Sequence, residues 1–191
     1  MDLEAQRRTC SVYLVDRVLP MLPERLCNDV CSLRPNEDRL AMTVRMRLNN
    51  RAEVTGVEVY PSAIRSKARL SYDEVDVLLT CATAEDDHER AAQTGSDDLH
   101  RMLLLLDEIA RLRIARRAER GAIDFQTSES KVELDEEGRP VAIRVRQRTR
   151  ATSLVEEAML LANECVAQLL AEHDAPTAYR VHERPAPEDL A

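Results

Sequence analysis

Tryptophan is absent from this chain of 191 residues and phenylalanine occurs once, so its aromatic rings are Tyr13, Tyr60, Tyr72, Phe125 and Tyr179. A core of this size ordinarily uses more, which draws attention to where those few rings stand. Glycine is also scarce, and four in the whole sequence exclude a glycine-rich phosphate loop. Among the five cysteines (Cys10, Cys27, Cys31, Cys81, Cys165) there is no Cys-x-x-Cys pair. His88, His100, His173 and His182 stand at no ligand spacing to them, so no zinc site is indicated. An odd number of thiols predicts reduced, structural cysteines in a reducing compartment. Neither Ser11 nor Ser153 has a histidine in useful context, which excludes a serine nucleophile. No apolar run approaches the ~20 residues of a membrane span. The run Met102–Leu106, for instance, is closed by Arg101 and Asp107. The first eight residues have no signal-peptide core, so a cytoplasmic protein without a membrane partner is expected.

Positive charge is in deficit overall, with a net charge of −8. That disfavours a uniformly basic nucleic-acid surface, because counterion release from phosphates needs clustered Lys and Arg. The distribution is uneven, however. Between Gly138 and Arg150 there are five arginines and no acid, while acids gather at Glu85–Glu89 and Asp135–Glu137. A groove responds to its local field rather than to the sum.

Hydrophobic residues make up 44% of the chain, enough for a packed core. The start reads as extended chain, with strand character at Ser11–Leu14, and Pro23 is placed to open a short helix. Met42, Val44, Met46 and Leu48 alternate with Thr43, Arg45 and Arg47, which predicts a half-buried strand over Asp38–Leu48. Asn49–Ala52 turns the chain and Val54–Ile64 returns as a hairpin partner. Ser71 and Glu74 form a capping-box pattern that opens a helix through Leu79. Residues 82–95 read as an acidic exposed loop. Asp98–Arg120 is a long amphipathic helix stopped by Gly121. Ile123–Phe125 and Lys131–Leu134 are short strands, and Val141–Arg148 alternates again. Ser153 with Glu156 reads as a second capping box, opening a helix to about Glu172 with Leu154, Ala158, Leu161, Cys165 and Leu169 buried. Mixed strands and helices with hairpin connections predict an α+β fold: a mixed, largely antiparallel sheet packed against long helices. Residues 185–191 are expected to be a frayed tail.

Three features can carry chemistry. The sparse aromatics can stack bases, as in single-strand RNA binders, or simply fill strand and core positions. Arg144, Arg146 and Arg148, with Arg150 beyond them, fall on one face of a strand of period two. They make either a phosphate-tracking rail or a solvated edge paired with nearby acids. Glu156 and Asn163 are seven apart and share a helix face, either as a site or as a capping glutamate and a surface amide. Glu157 is expected to point away into solvent.

Several blocks, in order and at compatible spacing, resemble the RNB catalytic domain of the ribonuclease R and ribonuclease II exoribonucleases. These are Ser11–Pro23, Leu26–Leu40, Ala68–Val75, Arg120–Phe125, Leu154–Asn163 and Tyr179–Pro185, so the likeness spans nearly the whole chain. The resemblance implies a partial RNB-type domain over residues 1–184. It also implies hydrolysis of single-stranded RNA from the 3′ end to nucleoside monophosphates, with Mg²⁺. By the same resemblance Tyr13 and Phe125 match the aromatics that clamp terminal nucleotides. Tyr72 and Glu156 match a pair that contacts the ribose, whose 2′-hydroxyl is both donor and acceptor. Asn163 and the arginines Arg144, Arg146 and Arg148 are added from the patterns above.

The departures matter as much. In the family an aspartate cluster holds the metal upstream of the matched segment, and an arginine motif lies downstream of it. Neither has a counterpart here, so no metal ligand or catalytic residue is assigned to this chain. At Arg8-Thr9-Cys10 the family tends to have a glycine in the middle. The expected function is therefore part of a 3′-to-5′ exoribonuclease that grips single-stranded RNA, with the missing parts of the same enzyme as further partners. The alternatives are a non-catalytic RNA-binding or regulatory remnant, or an α+β interaction protein without an RNA role. A piece separated from neighbouring strands is also expected to expose apolar faces.

Overall fold

The computed structural model describes residues 2–81, 97–122, 129–179 and 181. The expected acidic loop, the strand containing Phe125 and the tail lie outside the described residues. Residues 2–8 form a short helix, α1 (Asp2–Arg8), where extended chain was expected; none of its residues is buried. Its end is tethered by Arg8, which donates to Glu4 (2.8 Å) and to the Pro20 carbonyl (2.8 Å). Thr9 then takes φ 60°. A β-branched residue rarely adopts this left-handed conformation, and a glycine would adopt it freely. The backbone thus keeps a glycine-type turn where this sequence has threonine.

A small antiparallel pair follows, β1 (Val12–Tyr13) with β2 (Val18–Leu19). The short helix opened by Pro23 is a π-helix, Arg25–Val30. The main hairpin pairs β3 (Asp38–Leu48) with β4 (Val54–Arg65), in a register that sets Val44 opposite Val59. Its turn is fixed by the Asn49 side chain, whose Oδ1 accepts from the backbone N–H of Arg51 and Glu53. The predicted alternation holds in period but not throughout in burial. Val44, Met46 and Leu48 are half-buried, whereas Leu40 and Met42 stand exposed at 89% and 66%.

Helix α2 (Tyr72–Cys81) starts on the predicted capping box. Glu74 donates its backbone N–H to Ser71 Oγ (3.3 Å), and the Glu74 carboxylate accepts from the Ser71 N–H (2.6 Å). Helix α3 (Asp97–Glu119) ends at Gly121, which takes φ 85°. β5 (Glu129–Leu134) pairs with β6 (Pro140–Arg146). Helix α4 (Arg150–Glu172) closes the described core.

Its cap corrects the sequence reading. The N-cap is Thr149, which exchanges reciprocal hydrogen bonds with Thr152. Ser153 already lies in the first turn and spends its hydroxyl on the Thr149 carbonyl (2.9 Å).

The α+β class stands. The strands form three separate two-stranded ladders among the described residues, rather than one sheet. The core lies among the helices: Val75 and Leu79 of α2, Leu103 and Ala110 of α3, Ala151 and Leu154 of α4. Leu161 and Cys165 extend it along α4, whereas Ala158, expected in the core, is exposed. Burial pushes the Cys165 thiol pKa up, with Glu164 adding to the effect, as suits a structural cysteine. On β6, Val141, Ile143 and Val145 alternate along the strand and are exposed among the described residues.

Candidate nucleic-acid interface

The start of α4 is bonded to both α2 and α3. Asp107 of α3 is buried, and its carboxylate accepts from Arg150 Nη2 at 2.7 Å. Arg150 Nη1 also donates to the Leu79 carbonyl of α2 at 3.0 Å. Asp76 of α2 accepts from the backbone N–H of Ala151 at 2.8 Å, satisfying one of the orphan donors of the helix start. Three helices are thereby held at one point. The Arg150 guanidinium, facing Asp107, has its pKa raised.

The proposed site residues stand around and away from this junction. Tyr72 is the first residue of α2 and is partly exposed. Glu156 lies on the exposed side of α4, where Arg148 meets it at 2.9 Å. Asn163 is exposed two turns further along. Tyr13 stands on the β1–β2 hairpin and is 79% exposed. Phe125 lies outside the described residues. The structure thus brings Arg148 and Glu156 together, and places Tyr13 and Tyr72 on different elements.

The arginine rail does not survive as a continuous line. β6 ends at Arg146, so only Arg144 and Arg146 share the strand. Arg144 is paired with Glu133 across the ladder at 2.8 Å. Arg148 lies in the connection and turns to Glu156, while Arg150 opens α4 and turns to Asp107. Strand period two cannot hold once the chain turns into a helix.

The expectation for Glu157 is also corrected. It is 2% exposed and bonded to Arg117 of α3 at 2.5 Å. The signal was present: Leu154, Glu157, Leu161 and Cys165 recur at helical spacing, so Glu157 belongs to the buried stripe. Sequence reasoning missed the related pairs Arg113–Glu164 (2.6 Å) and Arg116–Glu53 (2.7 Å) as well. The α3 arginines at 113 and 117 are four apart and share a face, a pattern that called for acidic partners.

Among the described residues no three His, Cys, Asp or Glu side chains are grouped to hold a metal ion. The buried carboxylates face arginines, Asp107 meeting Arg150 and Glu157 meeting Arg117 through Oε1. Glu157 Oε2 has no hydrogen-bond partner, and no further pair of carboxylate, thiol or imidazole side chains is grouped with it among the described residues. The described donor set therefore does not fit a Mg²⁺ site. Nor is any helix among the described residues long and apolar enough to cross a membrane.

The profile of the RNB domain family matches residues 1–191. The chain belongs to the RNB domain family. Within that family, ribonuclease R of Thermotoga maritima is 43% identical over 190 residues, which is 100% of this chain and 26% of the relative. Mycoplasma genitalium RNase R in complex with ribose-methylated single-stranded RNA aligns at a TM-score of 0.83 and 33% identity, covering 99% of this chain and 28% of that one. The same protein in complex with double-stranded RNA aligns at 0.84 and 32% identity, covering 99% of this chain and 32% of its own. The mixed fold with small antiparallel ladders is thus that of part of an RNB domain. This chain spans about a quarter to a third of the length of these relatives.

Proposed function

We propose that this chain is the substrate-gripping part of a 3′-to-5′ exoribonuclease that hydrolyses single-stranded RNA to nucleoside monophosphates. The alignment of 99% of the chain with an RNA-bound RNase R carries this reading. Tyr13 and Phe125 stack on the terminal bases, and Tyr72 and Glu156 contact the ribose. Asn163 lines the same helix face as Glu156, and Arg144 and Arg146 add positive charge beside the strand's path. Residues 1–184 supply part of an RNB-type catalytic domain, with 185–191 as its tail. The protein works in the cytoplasm, in keeping with the unpaired Cys10, Cys27, Cys31 and Cys165.

RNB-family exoribonucleases generally depend on a divalent metal. The Mg²⁺ of the parent enzyme, which would stabilise the attacking and leaving oxygens, is held by residues other than those described here. This chain binds and orients RNA, and the isolated chain leaves it uncut. The reading is tested with a fluorescent single-stranded RNA at fixed salt. Stacking of one base is worth about 1–3 kcal/mol. The Tyr13→Ala, Phe125→Ala double variant removes two such contacts, at least about 2 kcal/mol, and should therefore weaken binding about 30-fold or more. Unchanged affinity would overturn the reading.

A further inference from the structure

We infer that Arg148 is a positioning residue for ribose recognition: it orients the Glu156 carboxylate rather than neutralising a phosphate. The inference rests on the proposed role of Glu156. Arg148 Nη2 sits 2.9 Å from Glu156 Oε2, so one carboxylate oxygen is oriented from the connection while the group remains on the exposed side of α4.

The base from which Arg148 reaches is rigid. Its neighbour Thr149 donates its N–H to Thr152 Oγ1 at 2.8 Å and caps the helix. Arg150 is fixed by Asp107 and the Leu79 carbonyl. The same junction reaches α2, the helix that carries Tyr72, through Leu79 and through the bond from Ala151 to Asp76. Tyr72 and Glu156 are therefore referred to one anchored point, and Arg148 extends that anchoring to the carboxylate.

The chemistry fits this division. A glutamate on an exposed helix face loses much rotamer freedom when it is ordered by a ligand. An arginine that orders it beforehand removes part of that cost from binding. The pair is also partly exposed, 33% at Arg148 and 45% at Glu156. Such a pair contributes little to folding, so an effect on ribose selectivity can be separated from an effect on stability.

The test compares the affinity of the full chain for a single-stranded RNA and for the 2′-deoxy oligonucleotide of the same sequence, across a salt series. Wild type, Arg148→Gln, Arg148→Lys and Glu156→Ala are measured, each with a thermal melt. Arg148→Gln should lower the RNA-to-DNA affinity ratio about 2- to 10-fold, the effect of one side chain left to be ordered on binding. DNA affinity, the salt slope and the melting temperature should stay as in wild type, and Arg148→Lys should restore part of the ratio. An equal loss for RNA and DNA, with the salt slope reduced by about 0.7, is the signature of a phosphate contact and overturns the inference. Loss of the ratio in Glu156→Ala but not in Arg148→Gln also overturns it, leaving the role of Glu156 intact. An unchanged ratio in Glu156→Ala overturns the underlying reading and the inference with it.

Discussion

Replacing Asp107 with alanine isolates what the buried junction contributes. The Asp107 side chain is 4% exposed and takes the two Arg150 contacts, at 2.7 and 3.4 Å, together with one from Arg111 at 3.1 Å. A hydrogen bond between charged groups contributes about 1.5–3 kcal/mol. The Arg111 contact adds little, because that side chain is 67% exposed and its ion pair is solvated. Breaking a fully buried pair costs about 3–5 kcal/mol, since the surviving charge is stranded. Here Arg150 is 43% exposed and retains the Leu79 carbonyl, so the remaining charge is not stranded. The expected loss is therefore about 2–3 kcal/mol, or roughly 4–12 °C in melting temperature for a chain of this length. Urea unfolding of Asp107→Ala, Arg150→Ala and the double variant should show a coupling of about 1.5–3 kcal/mol. A single-variant loss below about 1 kcal/mol, or additive behaviour, would refute the assignment of Arg150 to the junction. So would a lower salt slope of RNA binding in Arg150→Ala, because that would return Arg150 to a phosphate-contacting role.

Two further outcomes follow from the helix cap and the surface carboxylates. Thr149→Ala should cost about 1 kcal/mol in urea unfolding, the usual loss of an N-cap side chain, and Ser153→Ala distinctly less; the reverse order would place the start of α4 at Ser153. Lowering the pH should destabilise the chain progressively from about pH 5. Glu53 is held below its ordinary value of 4.5 by a hydrogen bond from Arg116, Glu74 by the Ser71 N–H and hydroxyl, and Asp38 below 3.8 by Arg65. A carboxylate whose folded pKa is depressed adds stability above its unfolded value and loses it as pH falls through the folded one. Melting curves from about pH 7 to 3 should show that decline, shallower in Glu53→Gln; a flat profile would contradict it.

The fold was legible where a pattern is local. The β3–β4 hairpin, the Ser71–Glu74 box, the Gly121 stop and the end of α4 near Glu172 all follow from periodicity and capping chemistry within a few residues. The errors arose where partners are distant in sequence. Nothing near Glu157 names Arg117, 40 residues away, and nothing near Arg150 names Asp107, 43 away. The rail failed for a related reason, because the alternation Arg144, Arg146, Arg148, Arg150 crosses from a strand into a helix. Apolar residues such as Ile143 follow strand period and yet are exposed among the described residues, because period sets which face a side chain takes and not what packs on that face. Of the candidate site, Arg148 and Glu156 were both selected from the sequence, but their contact required the turn at Thr149.

Under the proposed function this chain grips single-stranded RNA and does not by itself cut it. The most direct test incubates the purified chain with 5′-labelled single-stranded RNA and Mg²⁺, following binding by anisotropy and length on a denaturing gel. Saturable binding is expected, with RNA favoured over the deoxy strand and a label that stays at full length. Stepwise shortening that copurifies with the chain would contradict it, as would the absence of any binding.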